Sequence, residues 1–228
     1  MHKHYIFSVV ISLIVLSSIV QGAEPNAGAE IESCDCTQDC IEAYVTNTSE
    51  GVYTANEAER VSEHCGERAV LPLRDLLASE EASFRSKGFA ALCLGKIGTA
   101  DCETALLDYI QLSRSQAVSV EEYTSIQMAL YGLGFIGSEE AIKFLRLLCS
   151  EEYWLNRDDI RSLTSDINAQ GRKKPKFEIE TWRSSALAGI EVLAPEKAQE
   201  VFQLLRADET YEALFPSIDS AIAALNKG

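Results

Sequence analysis

The pentapeptide Leu94-Gly95-Lys96-Ile97-Gly98 recurs 39 residues later as Leu133-Gly134-Phe135-Ile136-Gly137. Each copy ends an alanine-rich run with helical periodicity and leads into a second amphipathic run. A repeat of this length is typical of stacked helical pairs, in which each pair buries its apolar face against its neighbours. The spacing therefore predicts an all-α protein built from successive helical pairs.

A third, more divergent copy occupies residues 186–190, which align with residues 129–133 at an offset of 57. The excess over the 39-residue repeat falls within an insertion at about 151–177. Two further helical runs close the chain and form a pair whose outer face acts as a cap. We therefore expect one domain of about four helical pairs at residues 59–228.

The glycines of the repeated pentapeptide have predicted roles at the helix ends. Gly95 and Gly134 are expected to adopt the left-handed conformation that ends a helix. Gly98 and Gly137 then allow the next helix to turn back. A small residue is also expected where paired helices approach each other, at three equivalent positions: Cys93, Gly132 and Gly189.

This combination resembles the short HEAT-like repeats first described in phycobilisome lyases, in which an alanine-rich helix with a basic residue ends in Leu-Gly-x-Ile-Gly. The resemblance covers roughly residues 69–225. It implies an α-α superhelix, a short HEAT-type solenoid whose surface binds other proteins, and it does not imply lyase activity. Lys87 and Arg183 occupy the position of the family's basic residue, whereas the third equivalent position is Ile126.

In this architecture the second helix of each pair usually lines the concave side of the superhelix. The resemblance therefore implies partner contacts at four positions: Lys87, Tyr123, Gln127 and Arg183.

The insertion contains a basic cluster in an otherwise acidic chain, formed by Arg172, Lys173 and Lys174. Such a cluster indicates either a surface that recognises an acidic partner or a solvated loop. Aromatic side chains on both sides are typical of binding hot spots and equally of helix cores. They are Tyr153, Trp154, Phe177 and Trp182.

The amino terminus has the pattern of an export signal. Lys3 precedes an apolar run at residues 5–20, and small or apolar residues place a cleavage site after Gly22. A signal peptide at 1–22 predicts an exported protein, periplasmic or extracellular, without stable membrane insertion after cleavage. An uncleaved anchor is the alternative. The net charge of −15 repels phosphate backbones and argues against a nucleic-acid partner.

Seven cysteines follow the signal, a pattern that predicts disulfide bonds in an oxidising compartment. Residues 23–58 form a flexible, Cys-rich segment that contains Cys34, Cys36 and Cys40. We expect disulfides to pin this segment to the first helices, with Cys36 or Cys40 bonded to Cys65. A zinc site made by the same four thiolates is the alternative.

Cys93 and Cys102 lie nine residues apart across one predicted turn. Three hypotheses remain open for them: a disulfide that staples one repeat, two inert buried thiols, or a redox-active pair. Cys149 aligns with Ile110 of the preceding repeat, which predicts a thiol in the core.

Catalytic chemistry has little support in this sequence. His64 is the only histidine beyond the signal, which argues against His-based triads and multi-His metal sites. Adjacent carboxylates point about 100° apart on a helix and complement the dipole at helix starts. We expect this role for the pairs at 121–122, 139–140 and 151–152. No catalytic residue, metal or cofactor is predicted.

The expected function is that of a non-enzymatic exported scaffold or adaptor, which binds another envelope or secreted protein through its helical-repeat surface. Two alternatives remain at this stage. One is a thiol-based redox protein or enzyme that uses the cysteine groups, and the other is a structural subunit of a larger envelope complex.

Overall fold

A computed structural model of the chain describes residues 31–50, 54–113, 120–155 and 175–226. These residues form helices joined by turns, and no β-strand occurs among them, which confirms the all-α class. The described α-helices, in chain order, are α1 (Gln38–Glu50), α2 (Ala55–Cys65), α3 (Val70–Ala78), α4 (Phe84–Ile97), α5 (Ala100–Ser113), α6 (Val120–Ile136), α7 (Glu139–Leu148), α8 (Glu151–Leu155), α9 (Pro175–Glu191), α10 (Pro195–Arg206) and α11 (Phe215–Leu225). Short 3-10 helices occupy Ile31–Ser33, Gly66–Ala69 and Glu209–Leu214. The predicted signal peptide and most of the predicted insertion lie outside the described residues.

The second glycine of each repeated pentapeptide ends its helix. Gly98 has φ +75° and Gly137 has φ +59°, both in the left-handed region that favours glycine. The Gly98 and Gly137 N–H groups donate to carbonyls four residues back, at 3.0 Å in both cases. We had expected this conformation at Gly95 and Gly134, but α4 and α6 continue through those residues. The prediction was wrong: in each copy the second glycine has the left-handed conformation, and the first glycine lies where two helices touch.

That contact is the close approach of α4, α6 and α9, which pack side by side with α6 in the middle. A Cβ atom on Gly95 would lie 2.4 Å from the Gly132 Cα, and one on Gly134 would lie 2.0 Å from the Gly189 carbonyl oxygen. Real Cβ atoms essentially never come this close to backbone atoms. Glycine is therefore required at both positions because the two helix backbones touch.

The α4–α6 and α6–α9 interfaces are built from equivalent contacts. A Cβ on Gly132 would lie 2.8 Å from a carbonyl oxygen of α4, and a Cβ on Gly189 would lie 2.8 Å from a carbonyl oxygen of α6. Each would also lie 2.9 Å from a leucine methyl group. The partners of these two glycines are separated by the 39-residue repeat: Ala91 and Leu106 for Gly132, Leu130 and Leu145 for Gly189. The sequence repeat is thus a repeat of packing.

The remaining helices cover this row. α5 packs against α6 and α3, α7 packs against α6 and α9, and α10 packs against α9. Because α4 and α6 are covered on several sides, residues 88–95 and 125–134 are buried without interruption. α7 instead buries only one stripe of apolar residues and exposes the other face, as expected for a surface helix.

The described part of the Cys-rich segment packs onto this frame. α1 contacts α3 and α4, and Ile31, Ile41 and Val45 are fully buried. α2 begins at a capping box, in which Thr54 accepts a hydrogen bond from the Glu57 N–H and the Glu57 carboxylate accepts one from the Thr54 N–H. This arrangement fixes the start of α2 and leaves Cys65, at its other end, beside the Cys-rich segment.

Candidate functional site: the amino-terminal ends of α4 and α6 and the middle of α9

The four contact positions implied by the family resemblance all lie on the three side-by-side helices. Lys87 is on α4, Tyr123 and Gln127 are on α6, and Arg183 is on α9. Lys87 and Tyr123 are partly exposed, whereas Gln127 is 5% exposed and Arg183 is 1% exposed. The structure therefore offers Lys87 and Tyr123 to solvent and gives Arg183 an internal environment.

Tyr123 belongs to an aromatic cluster, formed with Trp182, Trp154 and Tyr153, that joins α6, α9 and α8. The Tyr123 ring meets Trp182 edge-on at a centroid distance of 5.1 Å, and Trp182 stacks on Trp154 at 5.8 Å. Tyr153 meets Trp154 edge-on at 5.2 Å. Such pairs add to the burial energy of the rings. The aromatic cluster is therefore a packed support for the surface around Tyr123.

The Tyr123 hydroxyl is held in place from α9. It donates to the Thr181 carbonyl oxygen at 3.4 Å and forms a short hydrogen bond with the Ser185 hydroxyl. Burial raises the pKa of Tyr123 to about 12, with the Ser185 hydrogen bond acting in the opposite direction. The phenol therefore stays protonated at neutral pH and acts as a hydrogen-bond donor.

Arg183 links α9 to the turn between α7 and α8. Its Nε–H donates to the Cys149 carbonyl oxygen at 2.7 Å, and its Nη1 lies 3.5 Å from the Glu151 carboxylate. Among the described residues its buried Nη2 has no hydrogen-bond partner. The carbonyl of Cys149 directly follows α7, where helix carbonyls lack intrahelical donors. Arg183 supplies that donor, a structural role that the sequence did not reveal.

Lys87 lies beside an exposed aromatic ring that the sequence analysis missed. Phe84, three residues earlier on α4, is 36% exposed, and the Lys87 Nζ lies 5.7 Å from its ring centroid. Burial lowers the pKa of Lys87, while the nearby carboxylates of Glu122 and Glu80 act in the opposite direction. The i, i+3 spacing of a phenylalanine and a lysine directly after the Ser83 N-cap could have indicated this pair.

The basic cluster of Arg172, Lys173 and Lys174 lies outside the described residues, so its role in binding an acidic partner stays a prediction.

A second group of functional interest is the sulfur cluster, which we define as Cys34, Cys36, Cys40 and Cys65. Disulfides join Cys34 to Cys40 and Cys36 to Cys65, with Cα–Cα distances of 5.8 and 5.6 Å. The second bond is one of the two expected closures onto α2. These bonds occupy all four thiols that the alternative zinc hypothesis would use as thiolate ligands.

Cys93, Cys102 and Cys149 are free, buried thiols. The expected staple between Cys93 and Cys102 is therefore not formed, which corrects the first of the three hypotheses for this pair. Burial raises the pKa of both Cys93 and Cys149, the latter to about 12. The Cys102 sulfur accepts a hydrogen bond from the Thr99 hydroxyl at 3.1 Å. Cys93 and Cys149 therefore react slowly, because the thiolate is the nucleophile.

Catalytic groups do not converge among the described residues. The His64 Nε2 lies 2.8 Å from the Cys34 carbonyl oxygen, so the imidazole contacts backbone of the Cys-rich segment. The carboxylate pairs stand in the first turns of α6, α7 and α8, as expected for helix starts. A surface cavity of about 380 Å³ beside α5 presents two carboxylates and the Thr99 hydroxyl, which donates to the Cys102 sulfur; it is lined by Glu67, Val70, Thr99, Ala100 and Asp101.

No family model matches the chain, and neither the curated proteins nor the solved structures compared with it gave a match. Within the described ranges, no helix has the length and apolar character needed to cross a membrane. The two disulfides are typical of a protein that matures in an oxidising environment.

Proposed function

We propose that this protein is an exported, non-enzymatic adaptor that binds another protein through the amino-terminal ends of α4 and α6, with the middle of α9 as their support. In this proposal the helical pairs form a short superhelix of the HEAT type. The binding surface is centred on Phe84 and Lys87, and it includes the partly exposed Tyr123 of the adjacent helix α6.

The equivalent glycine contacts support the superhelical arrangement. If successive pairs repeat the same backbone contact, each pair is related to the next by nearly the same rotation and translation, which generates a superhelix. Rows of this kind present rigid, extended surfaces. Rigidity favours binding because little conformational entropy is lost when the partner docks.

The observation that carries the binding proposal is the exposed pair of Phe84 and Lys87, which lies in a setting of strong negative charge. An aromatic ring and a cation are frequent anchors in protein interfaces. The buried aromatic cluster behind Tyr123 fixes this end of the helices in one conformation. A partner with an apolar pocket for Phe84 and one carboxylate placed to pair with Lys87 would match the patch.

Site-specific photocrosslinking tests the proposal. The protein carrying a benzophenone amino acid at position 84 is expected to crosslink to one defined partner in its native compartment. The same label at Leu204 of α10, an apolar residue that is 46% exposed, serves as the control. Equal capture at both positions, or no capture at position 84, would contradict the proposal.

Two variants sharpen this experiment. Lys87→Glu and Phe84→Ser are each expected to weaken partner binding about tenfold or more, the scale of a hot-spot substitution. Leu204→Ser removes a similar exposed apolar side chain elsewhere and is expected to leave the affinity unchanged. Far-ultraviolet circular dichroism checks that all three variants retain their helices.

A further inference from the structure

The two disulfides of the sulfur cluster lie against each other. The sulfur atoms of Cys34, Cys36 and Cys65 are all within 4.8 Å of one another, although Cys34 is bonded to Cys40. The Cys36 backbone N–H also donates to the Cys34 sulfur at 3.4 Å. A thiolate released at Cys34 would therefore start next to both sulfurs of the second disulfide.

Access to the sulfur cluster is uneven. Cys34, Cys36 and Cys65 are 7%, 6% and 5% exposed, whereas Cys40 is only partly buried. Because thiol–disulfide exchange depends on which sulfur the attacking thiolate can reach, attack is directed to Cys40.

We propose that the sulfur cluster is a thiol–disulfide relay that reacts with an external cysteine thiolate at Cys40. The thiolate attacks the Cys40 sulfur and forms a mixed disulfide, the Cys34–Cys40 bond breaks, and Cys34 leaves as a thiolate. Cys34 then attacks Cys65 or Cys36, which forms a new internal disulfide and breaks the Cys36–Cys65 bond. The remaining sulfur leaves as a thiolate.

The sequence of steps conserves electrons. Two disulfides and one thiolate enter, and two disulfides and one thiolate leave, so the only co-reactant is the external thiol. Attack on Cys65 keeps the segment around α1 tied to α2 through Cys34, whereas attack on Cys36 releases Cys65 and removes the covalent bond to α2. It does not depend on the adaptor function proposed above.

Peptide mapping after limited exchange tests the relay in the native protein. The protein is exposed to a small excess of glutathione, quenched with acid, alkylated with N-ethylmaleimide and digested without reduction. We expect the glutathione adduct on Cys40, a new bond from Cys34 to Cys65 or Cys36, and alkylation of the sulfur that leaves. An adduct on Cys40 with alkylation at Cys34 alone would overturn the relay, as would the absence of any adduct in the folded protein.

A matched pair of variants gives an independent readout. Cys40→Ser leaves Cys34 as a free thiol, and in the folded variant alkylation should reach Cys36 or Cys65 as well as Cys34. The double variant Cys36→Ser/Cys65→Ser lacks the second disulfide, so glutathione should produce alkylation at Cys34 only. Circular dichroism reports whether the variants fold. If Cys40→Ser does not, the mapping of the unsubstituted protein decides.

A trapping experiment distinguishes a protein thiol from a small thiol, such as glutathione, as the external co-reactant. A dithiol oxidoreductase with a C-x-x-C motif, whose second cysteine is replaced by serine, forms a stable mixed disulfide with its target. Capture at Cys40 in this arm assigns a protein thiol as co-reactant, and capture by glutathione alone assigns a small thiol. Capture in neither arm overturns the proposal.

Discussion

Between α4, α6 and α9 the chain is held by backbones that touch at glycine, whereas around α1 it is held by covalent bonds. The Gly134–Gly189 contact leaves no room for a single added carbon atom. The segment around α1 instead has one disulfide within itself and one to the end of α2. The first region is therefore stabilised by close packing of helices, and the second by covalent cross-links.

The difference follows from how much apolar surface each region can bury. α6 has a continuous buried stretch at residues 125–134, so its packing alone can offset the entropy of ordering the chain. The segment that precedes α2 is short and polar, and few of its side chains are fully buried. A cross-link stabilises such a segment mainly by restricting the unfolded chain.

The glycine contact between α6 and α9 leaves no room for a side chain at position 134. We expect Gly134→Val to lower the free energy of unfolding by about 4 kcal/mol or more, because two backbones must separate to admit it. Urea denaturation followed by circular dichroism measures the loss. Gly66→Ala is the matched control, since a Cβ at Gly66 meets nothing within 4 Å. The Gly66 backbone, with φ +54° and ψ −135°, is a conformation that favours glycine, so alanine there should cost about 1–3 kcal/mol. Equal losses at the two glycines would contradict our account of the contact.

Removal of the disulfides, which hold the segment around α1, should have the next largest effect on the free energy of unfolding. We expect Cys36→Ser/Cys65→Ser to cost about 3 kcal/mol and Cys34→Ser/Cys40→Ser about 2 kcal/mol, because a longer loop loses more entropy on closure. The sequence separations are 29 and 6 residues. Urea denaturation without reductant gives both values. A larger loss for the Cys34–Cys40 pair would show that local contacts, and not loop closure, dominate.

The sequence predicted the packing of the core better than the conformation of its turns. The 39-residue spacing identified equivalent helices because every stacked pair must present small residues at the same place. It could not tell which glycine of Leu-Gly-x-Ile-Gly turns the chain and which meets a neighbour. Gly95 and Gly98 have the same local preferences, and only the distance to Gly132 separates their roles.

The sequence predicted the positions of the candidate site residues better than their burial. The family pattern located Lys87 and Tyr123, which remain partly exposed, but it could not indicate that Arg183 is turned inward to the Cys149 carbonyl. Burial of an arginine depends on which backbone groups lack donors after folding. The Cys36–Cys65 bond was among the expected closures, whereas the free thiols of Cys93 and Cys102 needed three-dimensional placement.

Arg183 makes a polar contact within the tightly packed region. We expect Arg183→Met to cost about 2 kcal/mol, because the Cys149 carbonyl loses its donor while the removal of a buried charge returns part of the loss. Glu151→Gln is the control and should cost less than about 0.5 kcal/mol, because Glu151 is 40% exposed. Comparable losses in thermal denaturation would mean that the ion pair, and not the hydrogen bond, holds α9 to this turn.

The smallest effect is expected for the ion pair between Glu32, in the segment before α1, and Arg60 of α2. The Arg60 Nη2 lies 2.8 Å from the Glu32 Oε1. The hydrogen bond from Arg60 holds the pKa of Glu32 below its ordinary value of 4.5. A lowered pKa in the folded state stabilises the protein above the unfolded-state pKa, and this contribution is lost as the pH falls through the folded-state pKa. The stability difference between the protein and its Glu32→Gln variant should therefore be full at pH 6 and shrink below about pH 4.5. Urea midpoints at several pH values measure it, and 1 M salt should diminish it because both side chains are largely exposed. A difference that does not shrink at all below pH 4.5 would show that Glu32 acts through packing and not through its charge.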